Sequence, residues 1–93
     1  MSEARITLIR ERLQAALHPV ELLITDESHK HVGHEGAKSG KGHFHVKISS
    51  NSFEGLNAVR QHQLIYEALA ELMHTEIHAL SIEASTPPKQ ANS

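Results

Sequence analysis

Nine of the 93 residues are histidine (His18, His29, His31, His34, His43, His45, His62, His74 and His78), and none is cysteine. Imidazole titrates near neutrality and ligates transition metals when neutral, so this composition points to metal or proton chemistry. The lack of cysteine removes disulfides, thiolate sites made by this chain alone and thiol nucleophiles together. Any iron–sulfur role therefore needs sulfur from another molecule. A closed structural zinc site is not expected, because it needs four ligands at fixed spacing, usually with thiolates, and no finger pattern is present.

The histidines differ in what their surroundings allow. In Ile77-His78-Ala79-Leu80-Ser81-Ile82, His78 shares parity with Leu80 and Ile82, so strict alternation places it on the apolar face, half sheltered at the mouth of a strand. Two readings stand for it: a hydrogen-bonded structural histidine at a strand end, or a metal ligand held by packing. His31 and His34 lie in His31-Val32-Gly33-His34, where a glycine-rich backbone would let an imidazole swing towards a metal; a solvated loop is the plain alternative. His29, His43 and His45 would pick up Zn²⁺, Ni²⁺ or Cu²⁺ weakly without any role. His62 falls on the buried side of a helix and is expected to pack. His74 and His18 close helices, where the negative end of the macrodipole favours them.

The elements that position these residues follow from periodicity. Ile6, Ile9, Leu13, Ala16 and Leu17 recur at three- and four-residue steps, which predicts an amphipathic helix over Ser2–Leu17, capped by Ser2 and ended by Pro19. Val20–Thr25 is a short branched apolar run and reads as the first strand. His29–Gly42 contains four glycines, three lysines and three histidines and is expected to be a mobile loop, long enough to suggest use. His43–Ser49 alternates Phe44, Val46 and Ile48 with His43, His45 and Lys47, which predicts a half-buried second strand forming a hairpin with the first. After Ser50-Asn51-Ser52, Gly55 interrupts a helical stretch from Phe53 to His74. A short turn of helix, a bend and a long helix are expected, with Ala58, His62, Ile65, Leu69 and Leu72, joined by Tyr66 and Met73, as the buried stripe. Ile77–Ala84 is the third strand, stopped by Thr86-Pro87-Pro88. The expected architecture is α+β: αββααβ, a three-stranded sheet with helices on one face, in an order resembling the type II KH-like fold. Residues 1–88 form the domain and 89–93 a disordered polar tail.

Whole-chain properties narrow the function class. Nine Lys+Arg against eleven Asp+Glu give a formal charge of −2, which is no footprint for non-specific nucleic-acid binding. Gly33-His34-Glu35-Gly36 has the spacing of a KH clamp, yet it falls between strands rather than between helices, and Glu35 would face phosphate with the wrong sign. No serine-elbow or P-loop motif is present, so a binding or adaptor protein is expected rather than an enzyme. No apolar run approaches the ~18–20 residues of a membrane span and no signal-peptide pattern opens the chain, so a cytoplasmic protein is expected.

Several separated motifs agree in order with one family. Asp26-Glu27-Ser28, His31-Val32-Gly33-His34, Gly42-His43-Phe44-His45-Val46, Phe53-x-Gly55, Arg60-Gln61-His62, Tyr66, Leu69-Ala70-Glu71-Leu72 and Ile77-His78-Ala79-Leu80-Ser81-Ile82 with Thr86-Pro87 resemble a BolA-family protein from Ile6 to Pro87. The resemblance implies an adaptor that pairs with a monothiol glutaredoxin and shares a 2Fe-2S cluster, held also by glutathione, in iron–sulfur trafficking or iron regulation. The family's C-terminal ligand histidine falls on His78. Its second ligand falls on His31 when aligned from Asp26-Glu27-Ser28 and on His34 when counted back from His43-Phe44. The chain alone is expected to be a monomer or weak dimer, and acid should loosen the complex because ligands bind deprotonated. Some members are DNA-binding transcription regulators; here the corresponding basic triplet reads Gln61-His62-Gln63, with Arg60 at its front, and lacks two positive charges that could meet phosphate.

Overall fold

The computed structural model describes residues 2–28 and 42–88. The His29–Gly42 loop, apart from Gly42 itself, lies outside the described residues, together with His31, His34, the Gly33–Gly36 spacing and the tail 89–93.

Helix α1 (Ser2–Leu17) carries Ile9, Leu13 and Leu17 on its inner face, each at most 5% exposed, with Ile6 partly buried beside them. Ala16, expected on that stripe, is exposed, because the three larger residues already fill the contact. The helix closes through its own backbone. His18 adopts φ 46, and its N–H donates to the Gln14 carbonyl at 3.2 Å, the left-handed closure usual at a helix C-terminus. The Leu17 carbonyl accepts from Ser50 Oγ at 2.6 Å and Ser52 Oγ at 3.2 Å, which satisfies an end group that would otherwise be buried without a donor.

Strands β1 (Glu21–Asp26) and β2 (Gly42–Ser49) pair antiparallel, and β3 (Ile77–Ser85) joins β2 in parallel, giving the order β1-β2-β3. Parallel neighbours need a crossover; here it runs through a 3-10 turn (Asn51–Phe53), helix α2 (Ala58–Ala68) and helix α3 (Ala70–Thr75). Gly55 takes φ 80 in the intervening bend, a conformation that costs glycine little. Asn57 caps α2 by accepting the Arg60 N–H at 2.9 Å.

The long helix expected after Gly55 is divided at Leu69 (φ −103, ψ 11), although the Leu69 N–H still reaches the Ile65 carbonyl and the Met73 N–H reaches that of Leu69. Its buried stripe is Ile65, Leu69 and Leu72, flanked by Leu64, Ala68 and Met73. Tyr66 is 41% exposed, contrary to the expected stripe. It stands about 100° around the helix from Ile65, which points inward, and so falls at the rim of the apolar face. These helices and α1 cover one face of the sheet, over Phe44, Val46, Ile48 and Ile24, leaving Leu23, Lys47 and Glu83 on the other face exposed. Full burial of side chains such as Phe44 or Leu13 contributes roughly 1.5–3 kcal/mol each, which holds the sheet and helices together. The α+β architecture and the αββααβ order are those expected.

Candidate functional site

The site is built where β2 and β3 start. Asp26 Oδ1 accepts the Ser28 N–H at 2.8 Å, a tight Asx turn that closes β1. Ser28 Oγ then accepts the His43 N–H at 3.0 Å, and the Glu27 N–H donates to the His43 carbonyl at 2.7 Å. On the opposite side the Gly42 N–H donates to the Glu76 carbonyl at 3.0 Å. The segment that carries His31 and His34 thus leaves at Ser28, which is bonded to His43 at the start of β2, and returns at Gly42, which is bonded to Glu76 just before β3. Asp26-Glu27-Ser28 and Gly42-His43 are the backbone frame of this corner.

Within that frame the β2–β3 register breaks once. Gly42 faces Ile77, while His43 faces Ala79, so His78 is the extra residue of a β-bulge. A bulge re-aims side chains by one position. Ile77 (1% exposed) and, three residues later, the partly buried Leu80 therefore both reach the core, and His78 is turned out and exposed. This corrects the alternation argument, which placed His78 with Leu80 and Ile82 on the apolar face.

The bulge also brings His43 to His78: their ring centroids lie 5.1 Å apart, inclined by 50°. His43, expected on the outer face with His45 and Lys47, is only 8% exposed. Period-2 reading could not show this, because the burial comes from the return of β3 and not from β2; Ser28 and Gly42 beside it are the sequence signals of a tightly closed corner. A cleft of about 300 Å³ opens alongside, lined by Glu27, His43, Phe44, Ala79, Leu80 and Ser81. Further along the same strands, His45 Nδ1 lies 3.0 Å from Ser81 Oγ and Nε2 3.6 Å from Glu83 Oε1. His62 is half-buried and His74 exposed on the helices.

Among the described residues no three metal-ligating side chains gather at one point. A metal group held here would draw on His78, on the histidines of the segment beginning after Ser28, and on a partner. The donor chemistry suits a group shared across a surface. His78 offers an exposed imidazole on a strand edge, and a chain without cysteine leaves the sulfur positions to the other side.

Residues 13–89 match the BolA-like protein family. The chain is 49% identical over 88 residues to the chloroplastic BOLA1 protein of Arabidopsis thaliana, covering 91% of this chain and 55% of that protein. It is 40% identical over 78 residues to the DNA-binding transcriptional regulator BolA of Escherichia coli K12, covering 84% of this chain and 71% of that protein. Among solved structures, the BolA domain of SufE1 from Arabidopsis thaliana superposes with a TM-score of 0.79 at 43% identity, covering 89% of this chain and 92% of that one. The chain spans about half the length of several curated relatives it matches, such as the plant BOLA1 and the mouse BolA-like protein 1 at 55% and 56%. No helix among the described residues is long and apolar enough to cross a membrane, and two of the plant relatives carry organellar names. Sequence, element order and three-dimensional fold agree, and the chain belongs to the BolA-like protein family.

Proposed function

We propose that this chain is an adaptor that pairs with a monothiol glutaredoxin and shares a 2Fe-2S cluster with it. His78 and one of His31 and His34 are the chain's ligands, and the partner's cysteine and bound glutathione supply the sulfur. The observation that carries this reading is the bulge at His78. It turns one imidazole out of an otherwise regular sheet edge, beside the two fixed ends of the segment that holds the other candidate histidines. When bound, the cluster would supply electron-transfer or transfer-of-iron chemistry; the chain's part is to present neutral imidazoles in a fixed direction and to shape the surface against which the partner docks. The cytoplasm, where thiols stay reduced, keeps such a partner competent.

The test is co-purification with a monothiol glutaredoxin, with and without iron–sulfur reconstitution, read by visible absorption and circular dichroism. A cluster-dependent heterodimer with a spectrum distinct from the glutaredoxin homodimer supports the reading. A partner that binds no better with cluster than without it contradicts it.

A second reading, DNA-binding transcriptional regulator, rests on the name of the Escherichia coli relative. In this chain the outer surface of α2 offers Arg60, whose Nη1 is 2.9 Å from Gln63 Oε1 and 4.0 Å from Glu67 Oε2. A cation so placed beside a carboxylate is a weak phosphate contact. Tight duplex binding that falls steeply with salt would favour this second reading over the adaptor.

A further inference from the structure

We propose that His43 is the positioning residue of this corner: its buried ring is the wall that holds the exposed His78 imidazole in one orientation. The inference rests on the reading of His78 as a cluster ligand and adds a second histidine with a different task.

The two rings are within the distance at which planar side chains pack, 5.1 Å between centroids at a 50° tilt, yet their exposure is opposite. His78 is open to solvent, while both ring nitrogens of His43 are closed to it. A group approaching from outside can therefore reach the His78 ring but not the ring nitrogens of His43. The base of the His43 side chain is also fixed. Its N–H donates to Ser28 Oγ, its carbonyl accepts from the Glu27 N–H, and the preceding Gly42 N–H donates to the Glu76 carbonyl. His78 has no residue opposite it in β2, so cross-strand neighbours do not set its direction as they do elsewhere in the sheet. The flank of the His43 ring takes their place. An oriented ligand loses less conformational freedom when it binds, which is how outer residues of a metal site raise affinity without touching the metal.

His43→Val and His43→Phe separate this role from ligation, because valine suits a strand but removes the planar wall, whereas phenylalanine keeps the wall and has no nitrogen. In the cluster-free chain, relaxation of the His78 ring Cδ2–H group should show a more mobile ring and a displaced resonance in His43→Val, and a ring as ordered as wild type in His43→Phe. In the reconstituted complex with a monothiol glutaredoxin, His43→Val should retain the cluster about tenfold more poorly, the low end of what outer-residue changes cost metal sites, while His43→Phe stays near wild type. Cluster loss in His43→Phe as complete as in His78→Ala would make His43 a ligand and overturn the proposal. Unchanged ring order in His43→Val would overturn it too. Failure of the wild-type complex to hold a cluster would instead overturn the ligand reading of His78, and the ring-order comparison in the cluster-free chain would still decide whether His43 positions it.

Discussion

His45 and His78 stand on neighbouring strands of the same sheet, three β3 positions apart in register, and the sheet treats them in opposite ways. His45 lies opposite Ser81 and on a diagonal to Glu83, and both of its ring nitrogens face those side chains at 3.0 and 3.6 Å. His78 falls in the one register break and faces out. A regular ladder supplies an imidazole with cross-strand partners, whereas a bulge withdraws them and leaves the ring available to something outside the chain. The same residue type is thus a surface-polar partner at one place and a candidate ligand at the other, and pairing geometry makes the difference.

Removing each histidine in turn separates the two roles. His78→Ala should abolish the visible spectrum of the mixed cluster while urea unfolding stays close to wild type, because an exposed side chain away from the core changes stability by about 0.5 kcal/mol or less. His45→Ala should leave that spectrum intact. His31→Ala and His34→Ala should weaken it unequally, and the larger loss marks the second ligand.

A second prediction concerns the space that permits the bulge corner to close. A Cβ on Gly42 would stand 2.6 and 2.8 Å from the Phe44 ring and 3.0 Å from Ser28 Oγ. Phe44 is 2% exposed and has little room to yield. Gly42→Ala should therefore cost roughly 1–3 kcal/mol in urea unfolding, the usual penalty of overpacking, and shift the amide resonances of His43 and His78. The control substitution His45→Ala, on the same strand, should not reproduce either change.

Smaller effects are expected at Ser28 and around His45. Ser28→Ala removes the acceptor of the His43 N–H and should cost about 0.5–1.5 kcal/mol. A double-mutant cycle between His45 and Glu83 should give a coupling of about 0.5 kcal/mol or less that fades with added salt, since Glu83 is largely solvent-exposed.

The strands and helices were legible because each buries one face and so leaves a period in the sequence. Phe44, Val46 and Ile48 mark β2, and Ile9, Leu13 and Leu17 mark α1. The orientation of His78 was not legible, since a register shift is a property of two paired strands and leaves no trace in the alternation of either one. Motif order placed a candidate ligand at position 78 where parity misdirected its side chain. The burial of His43 escaped for the same reason, as it depends on where β3 returns. The division of the long helix at Leu69 has no proline or glycine to announce it.

Whether His78 is the chain's outward ligand is decided by pulsed electron paramagnetic resonance on the reduced mixed cluster, assembled from a monothiol glutaredoxin and this chain labelled with ¹⁵N only at histidine. ¹⁵N hyperfine couplings from directly bound imidazole are expected in the wild-type complex, with the loss of one coupling in any cluster that residual assembly of His78→Ala still yields. A wild-type cluster with no histidine ¹⁵N coupling, or a His78→Ala cluster with the full set, would contradict that role for His78.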